Sequence, residues 1–418
     1  SGDGLQLGSA NTPLHNGSVG SQARIIVSAL ELETLFNTAP WSGPAMLVVN
    51  GTESFDLMSK LTSPSGLISN TNCVRQDTVY NVEGFDSSNL TFVRFINIGS
   101  ETLTDIRGTL SDVDGNTIGT GDVQLLSQLG PNEAVFINRN QLGQLVGDEW
   151  DGVATLDTSV PMANLRLLNL NFVNGETFFN FSCFESEQSG QIYLMTNSVS
   201  LNISETHLIN TSSASANFSG TIFSGTGDQI GTSAAALHSG TIAPGARVVI
   251  TANDLENLTG ADAWSGPARV AISGPSTFEV MTRLTSPSGL ISNTNCVRQG
   301  NVQNIEGFDS ANNTFVRFIN QGTGTISNIR GNLFDINGVI LGTADTELLS
   351  SLDPNEQVFL NRASLSALFG VSWDGEASLV VTASSDADLR LLNLNFVNEE
   401  TFFNFSCYES SASRGPTE

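Results

Sequence analysis

Residues 61–76 read LTSPSGLISNTNCVRQ, and residues 284–299 repeat those sixteen letters without a change, 223 positions further on. An identity of that length marks a tandem duplication, and the same period recurs elsewhere. FVRFIN at 92–97 returns at 315–320, LRLLNLNFVN at 165–174 returns at 389–398, and ETFFNFSCFES at 176–186 returns as ETFFNFSCYES at 400–410. Each half divides again. Trp41, Trp150, Trp264 and Trp373 sit in APWSGPA, DEWDGVA, DAWSGPA and VSWDGEA, and one cysteine follows each: Cys73, Cys183, Cys296 and Cys407. Two independent markers on one period of roughly 110 residues read as four modules in the order I–II–I–II. The expected boundaries are 1–76, 77–186, 187–299 and 300–410, with a polar tail at 411–418.

Within a module the texture is that of short strands. LTFVRFIN (90–97) and DIRGTLSDVD (105–114) are rich in β-branched and aromatic residues. Asp114-Gly115 and Asn337-Gly338 have the chemistry of tight hairpin turns, as does Asn174-Gly175. Asn398-Glu399 stands at the last position in the second copy, and the lost glycine predicts a different loop there. ALELETLF, NQLGQLVG, NDLENLTG and ASLSALFG precede the four tryptophans and read as one or two helical turns behind a polar starter. Helix is otherwise scarce. The expected fold class is therefore all-β: tandem, loosely immunoglobulin-like β-sandwiches of about seven strands. Strands apolar on both faces would fill a core on one side and meet a neighbouring module on the other. Linkers this short predict modules packed into a semi-rigid rod or compact pairs.

The first module reads as incomplete. Leu14-His15 aligns with Leu237-His238 and Ser1 with Ser224, so residues 1–76 have no counterpart of Met195–Phe223. That stretch holds two expected strands, ETHLIN and ANFSGTIF. Its apolar residues Leu208, Ile209, Phe218, Ile222 and Phe223 represent on the order of 5–10 kcal/mol if half of them are buried. Such a loss rivals the stability of a whole domain, about 5–15 kcal/mol. Three explanations stand side by side: a longer repeat array, strands supplied in trans by a neighbour or a cleaved peptide, or a reduced fold. The tail SSASRGPTE is a poor donor strand.

Composition narrows the function. The 418 residues carry 42 acids against 16 bases, a net charge of −26, and Lys60 is the one lysine. Such a chain repels phosphate backbones and anionic lipids, which argues against nucleic acid and membrane surfaces as partners. No run approaches the roughly 18 apolar residues of a membrane span. The opening SGDGLQLGS has no signal-peptide character, so any signal is expected to have been removed. The chain reads as secreted, extracellular or at a cell surface.

The four cysteines are spaced unlike a metal site and suit disulfides in an exported chain. Cys73–Cys183 with Cys296–Cys407 treats the halves alike; other registers stay open, including bonds between chains. No nucleophile elbow, metalloprotease helix or phosphate loop occurs. His15 and His238 are repeat equivalents, and His207 stands alone; all three read as structural. The expectation is that the protein is not an enzyme and needs no cofactor. Asp112, Asp114 and Asn116 in DVDGNT have a calcium-loop look, but they lack the closing glutamate and fall on an expected hairpin. Calcium thus stays a minor candidate beside the turn reading. The W-[SD]-G-x-A tryptophans read first as core or corner residues and second as sugar platforms. Arg94, Arg317, Arg166 and Arg390 lie in apolar strands and need carbonyl or carboxylate partners, or an edge position. Sequons at Asn16, Asn50, Asn89, Asn180, Asn202, Asn210, Asn217, Asn257, Asn312 and Asn404 are weak pointers to glycosylation.

The tryptophan motifs, the Asp-Gly and Asn-Gly hairpins and the single cysteine per module together resemble the tandem β-sandwich repeats of exported bacterial surface and fibre proteins. That resemblance is loose and carries over no functional residue. Repetition, absent catalytic groups and the open module lead to one expectation: a structural subunit of an extracellular filament, fibre or surface layer. It would polymerise with copies of itself, a neighbouring chain completing residues 1–76 by strand complementation. The alternative is a cell-surface adhesin or carbohydrate-binding protein built of the same repeats.

Overall fold

The computed structural model describes every residue except 72–73, 85–89, 159–161, 174–176, 181–184, 187–189, 308–312, 398–400, 407–408 and 411–418. Among the described residues antiparallel strands dominate, gathered into several separate sheets with four short helices among them. The helices are Ala29–Phe36, Arg139–Val146, Ala252–Thr259 and Arg362–Phe369, all where the sequence places them. Each starts because a side-chain oxygen of Ser28, Asn138, Thr251 or Asn361 accepts a free amide of the first turn. Three end on Gly147, Gly260 and Gly370 in the left-handed conformation, and the first ends on Asn37 at φ 49°.

Residues 77–186 form two four-stranded sheets. One has the order Val123–Leu129, Leu103–Ser111, Val153–Thr158, Thr78–Glu83; the other runs Ala134–Asn138, Leu90–Asn97, Leu165–Val173, Thr177–Asn180. Alternation along the strands turns Val93, Phe95, Ile106, Leu110, Leu156 and Leu167 into one shared core. Residues 300–410 repeat this layout around Val316, Phe318, Ile329, Leu333, Leu379 and Leu391. The register is also the same: Arg94 lies opposite Leu168, and Arg317 opposite Leu392. Asn174-Gly175 and Asn398-Glu399 fall outside the described residues.

Between 187 and 299 a third pair of sheets encloses Met195, Leu208, Phe218, Ile222, Trp264, Val270 and Phe278. In one sheet Ile203–Ile209 lies between Glu279–Thr285 and Arg247–Thr251. In the other, Ser219–Phe223 lies between Ala268–Ser273 and Gln229–Ala236, with Gln191–Met195 on the far side of Ala268–Ser273. The strand Leu165–Val173 shows how the units meet. Leu165 and Leu167 enter the core, while Leu168 and Leu170 point the other way into a separate cluster with Met46 and Val74.

The described residues of 1–76 build no such core. Their strands are Asp56–Leu57, Lys60–Thr62 and Ile68–Asn70, and residues 23–28 and 44–50 belong to none. They nevertheless close the molecule upon itself. Asp56–Leu57 pairs with Glu409–Ser410, as Glu279–Val280 pairs with Glu185–Ser186. In place of the rod or compact pairs expected from the linkers, the chain closes into a ring, because Glu409–Ser410 offers Asp56–Leu57 the same strand edge that Glu185–Ser186 offers Glu279–Val280.

Candidate functional site

Most positions of 1–76 have a counterpart 223 residues on, so the complete third unit shows what the first would look like when full. The counterparts of Ile203–Ile209 and Ser219–Phe223 are the ones missing, and these are the central strands of the two sheets. Among the described residues, the segments that match the neighbours of those two strands make no ladder on that side. Residues 24–28 and 45–50, which match Arg247–Thr251 and Ala268–Ser273, are consequently irregular. Their side chains come out of the core as well. Val19 is 46% exposed where Ile242 is 3%, and Leu47 is 40% where Val270 is 0%. Leu61 is 44% exposed where Leu284, within the identical sixteen residues, is 3%. Ile25, Ile26, Leu30 and Val48 add to this apolar surface.

Leu284 is buried for a traceable reason. It packs with Tyr193, Leu194, Ile319, Leu392 and Leu394. The matching cluster at the first junction retains Ile96, Leu168 and Leu170 but has neither a Tyr193 nor a Leu194, and Leu61 is not part of it. The same gap reaches Arg94. Its twin Arg317 is fully buried, donates Nη1 to the Tyr193 carbonyl and Nη2 to that of Pro267 at 3.2 Å, and stacks on Phe359. Arg94 stacks on Phe136 at 5.3 Å, while its Nη2 is buried without a hydrogen-bond partner among the described residues; Nε is unbonded there in both arginines. Burial lowers both guanidinium pKa values, that of Arg317 to about 9 with the nearby Arg269 charge adding to the effect.

The ring contacts obey a pseudo-twofold axis. Arg247 Nη1 donates to Asn81 Oδ1 at 2.7 Å, and Arg24 Nη1 to Asn304 Oδ1 at 2.6 Å. Arg75 pairs with Glu279, and Arg298 with Asp56. The Arg247 amide donates to the Val113 carbonyl, and the Arg24 amide to that of Ile336. DVDGNT thereby acquires a role other than ion binding. Asp112 Oδ1 accepts the amides of Asp114 and Asn116 at 3.0 and 2.8 Å, and Gly115, at φ 82°, rests on the Pro244 carbonyl. Asp335 and Gly338 do the same against Ser21. Among the described residues no His, Cys, Asp and Glu gather as a metal site.

Trp150, Trp264 and Trp373 are buried at 8%, 6% and 5%, and Trp41 is half-buried. Gly84 and Gly307 lie so close to Trp150 and Trp373 that a Cβ would stand 2.5 and 2.7 Å from their carbonyl oxygens. Arg139 and Arg362 tie those glycine carbonyls to the helices. Three of the four rings are thus corner pieces, which removes them as sugar platforms. Arg166 and Arg390 donate to nearby carbonyls at strand ends. Cys296 is disulfide-bonded, and Cys73, Cys183 and Cys407 lie outside the described residues.

One device escaped the sequence. Asn97, Asn210 and Asn320 end equivalent strands, are fully buried, and donate Nδ2 to two or three loop carbonyls each. The recurring "IN" that closes FVRFIN and ETHLIN is its only signal. Asn210 was also a sequon; with both amide hydrogens committed inside, it carries no glycan in this fold. His207 is the other surprise. On the face of its strand opposite to Leu208, it is buried beside Arg247 and Arg283 with neither ring nitrogen bonded among the described residues. Burial first, and then the two arginines, hold its pKa well below the usual histidine range.

No protein-family model matches the chain, and no curated protein does. Among solved structures it is similar to one described as "The Triple Jelly Roll Fold and Turret Assembly in an Archaeal Virus", at 12% identity and TM-score 0.18 over 91% of this chain and 97% of that one. A likeness so slight carries no argument. The resemblance to bacterial surface and fibre proteins is reduced to an all-β, sandwich-like architecture, since no such family is matched.

Proposed function

We propose that the protein is a structural subunit of an extracellular filament, fibre or surface layer, built from four loosely immunoglobulin-like modules in the order I–II–I–II. Copies assemble when a neighbouring chain completes the first module by strand complementation. The observation that carries this reading is the contrast between Val19, Leu47 and Leu61 and their buried counterparts Ile242, Val270 and Leu284. An exposed apolar surface beside unpaired strand edges is a template for another chain. The acidic, lysine-poor surface keeps such a subunit soluble until its partner arrives. Buried tryptophans favour this over the adhesin reading. Light scattering and electron microscopy over a concentration series test it: ordered polymers are expected, and monomers persisting at the highest concentration refute it.

A further inference from the structure

We propose that His207 is an acid-operated latch on the ring: protonating it parts the seam between 77–186 and 187–299, while the seam between 300–410 and 1–76 stays shut. The seam that parts lies on the face of Ile203–Ile209 that turns away from the core. Leu208, with Ile192, Met195 and Leu255, takes the core side. His207 looks the other way, between Met281 and Val249 of the two flanking strands. Alternation puts Glu205 on that same face, along with Glu279, Arg283 and Arg247. The strand Thr78–Glu83 of the second unit covers it. Its Asn81 accepts from Arg247 and donates Nδ2 to the Met281 sulfur at 3.7 Å, and its Glu83 meets Arg283 at 3.6 Å. His207 is left 2% exposed.

Charge inside this seam is already balanced. Arg75 pairs with Glu279, and Arg283 with both Glu83 and Glu205, so three carboxylates face three guanidiniums once Arg247 is counted. The turn holding Asp112 and Asp114 meets the seam at the Arg247 amide, and Asp112 is engaged with its own loop amides. A proton on His207 adds a fourth cation without a fourth carboxylate, and the charges of Arg247 and Arg283 both repel it. Nor does the closed seam solvate it. Neither ring nitrogen has a hydrogen-bond partner among the described residues, so a neutral ring hides one donor and an imidazolium hides two. Water reaches the ring when Thr78–Glu83 lifts away, and proton uptake is therefore tied to opening. The opposite seam is built from Arg24, Lys60, Asn304 and Glu376, and the one histidine of 1–76, His15, is exposed. Acid leaves that seam in place.

The Arg247 amide reports the seam directly, because it crosses to the Val113 carbonyl; the Arg24 amide crosses the opposite seam to that of Ile336. The test is residue-resolved amide exchange of the 418-residue protein at about pH 7.5 and about pH 5.0, corrected for the intrinsic pH dependence of exchange. A histidine with the ordinary pKa of about 6.5 in the open state raises the opening constant by up to about thirtyfold over that range. The expected result is a rise above about fivefold at Arg247, and below it at Arg24 and in the core strand Leu90–Asn97. His207→Leu should remove the rise. The parent carries a second readout that needs no variant: the His207 ring resonances should stay those of neutral imidazole for as long as the Arg247 amide is protected. A ring that titrates inside a closed seam overturns the inference. So does a rise at Arg247 smaller than about fivefold, an equal rise at Arg24 or Leu90–Asn97, or a rise that survives His207→Leu.

Discussion

Leu61 and Leu284 offer an unusually clean perturbation, because the same leucine begins the same sixteen residues twice. Leu→Ala removes three carbon groups, each worth about 0.8 kcal/mol when fully buried, and a rigid site adds a cavity term. For Leu284, 3% exposed and enclosed by Tyr193, Leu194, Ile319 and Leu392, the expected cost is about 2–5 kcal/mol. For Leu61, 44% exposed, water occupies the space and the cost should be about 1 kcal/mol or less. Denatured-state effects cancel, since the local sequence around the two sites is the same. Native-state hydrogen exchange over Ile68–Asn70 and Ile291–Asn293 measures each loss in place, using peptides that extend past the repeat into Lys60 or Arg283. Equal costs for the two alanines would refute the claim that the first unit lacks the covering strands.

Other outcomes follow from the same geometry. Because His207 has a depressed pKa in the fold, the unfolded chain binds its proton first, and stability should fall as pH drops below about 6.5, by up to about 1.4 kcal/mol per unit. The groups facing it are Arg247, Arg283, Met281 and Glu205, with Asn81 and Glu83 across the seam; urea midpoints for His207→Leu should show a shallower acid slope than the parent. Gly84→Ala and Gly307→Ala drive a methyl into the Trp150 and Trp373 carbonyls and should each cost about 1–3 kcal/mol. Gly324→Ala, which points into open space, should leave the melting temperature unchanged. Asn320→Ala strips the carbonyls of Gly324, Leu352 and Asp353 of their donor at about 1–3 kcal/mol, and Asn320→Asp should cost more because it faces them with an acceptor.

Much of this architecture was legible in the letters. LTFVRFIN is a strand over Leu90–Asn97 and all four helices start at polar caps, because local propensity and the tertiary fold agree there. The duplication was legible too, since sixteen residues recur unchanged at 61–76 and 284–299. Ring closure was not. It depends on Arg24 meeting Asn304 and Arg298 meeting Asp56 across about 240–280 residues, and no periodicity encodes such a contact. The asparagine caps were hidden for a similar reason: their acceptors lie on loops at unlike distances along the chain.

The most direct measurement is amide hydrogen exchange of the free protein at residues 45–50 against 268–273. Unfilled sheets predict fast exchange in the first segment and strong protection in the second. Equal protection in a monomeric sample would mean that the first unit closes its own sheets, and the polymer proposed from its exposed apolar residues would fall.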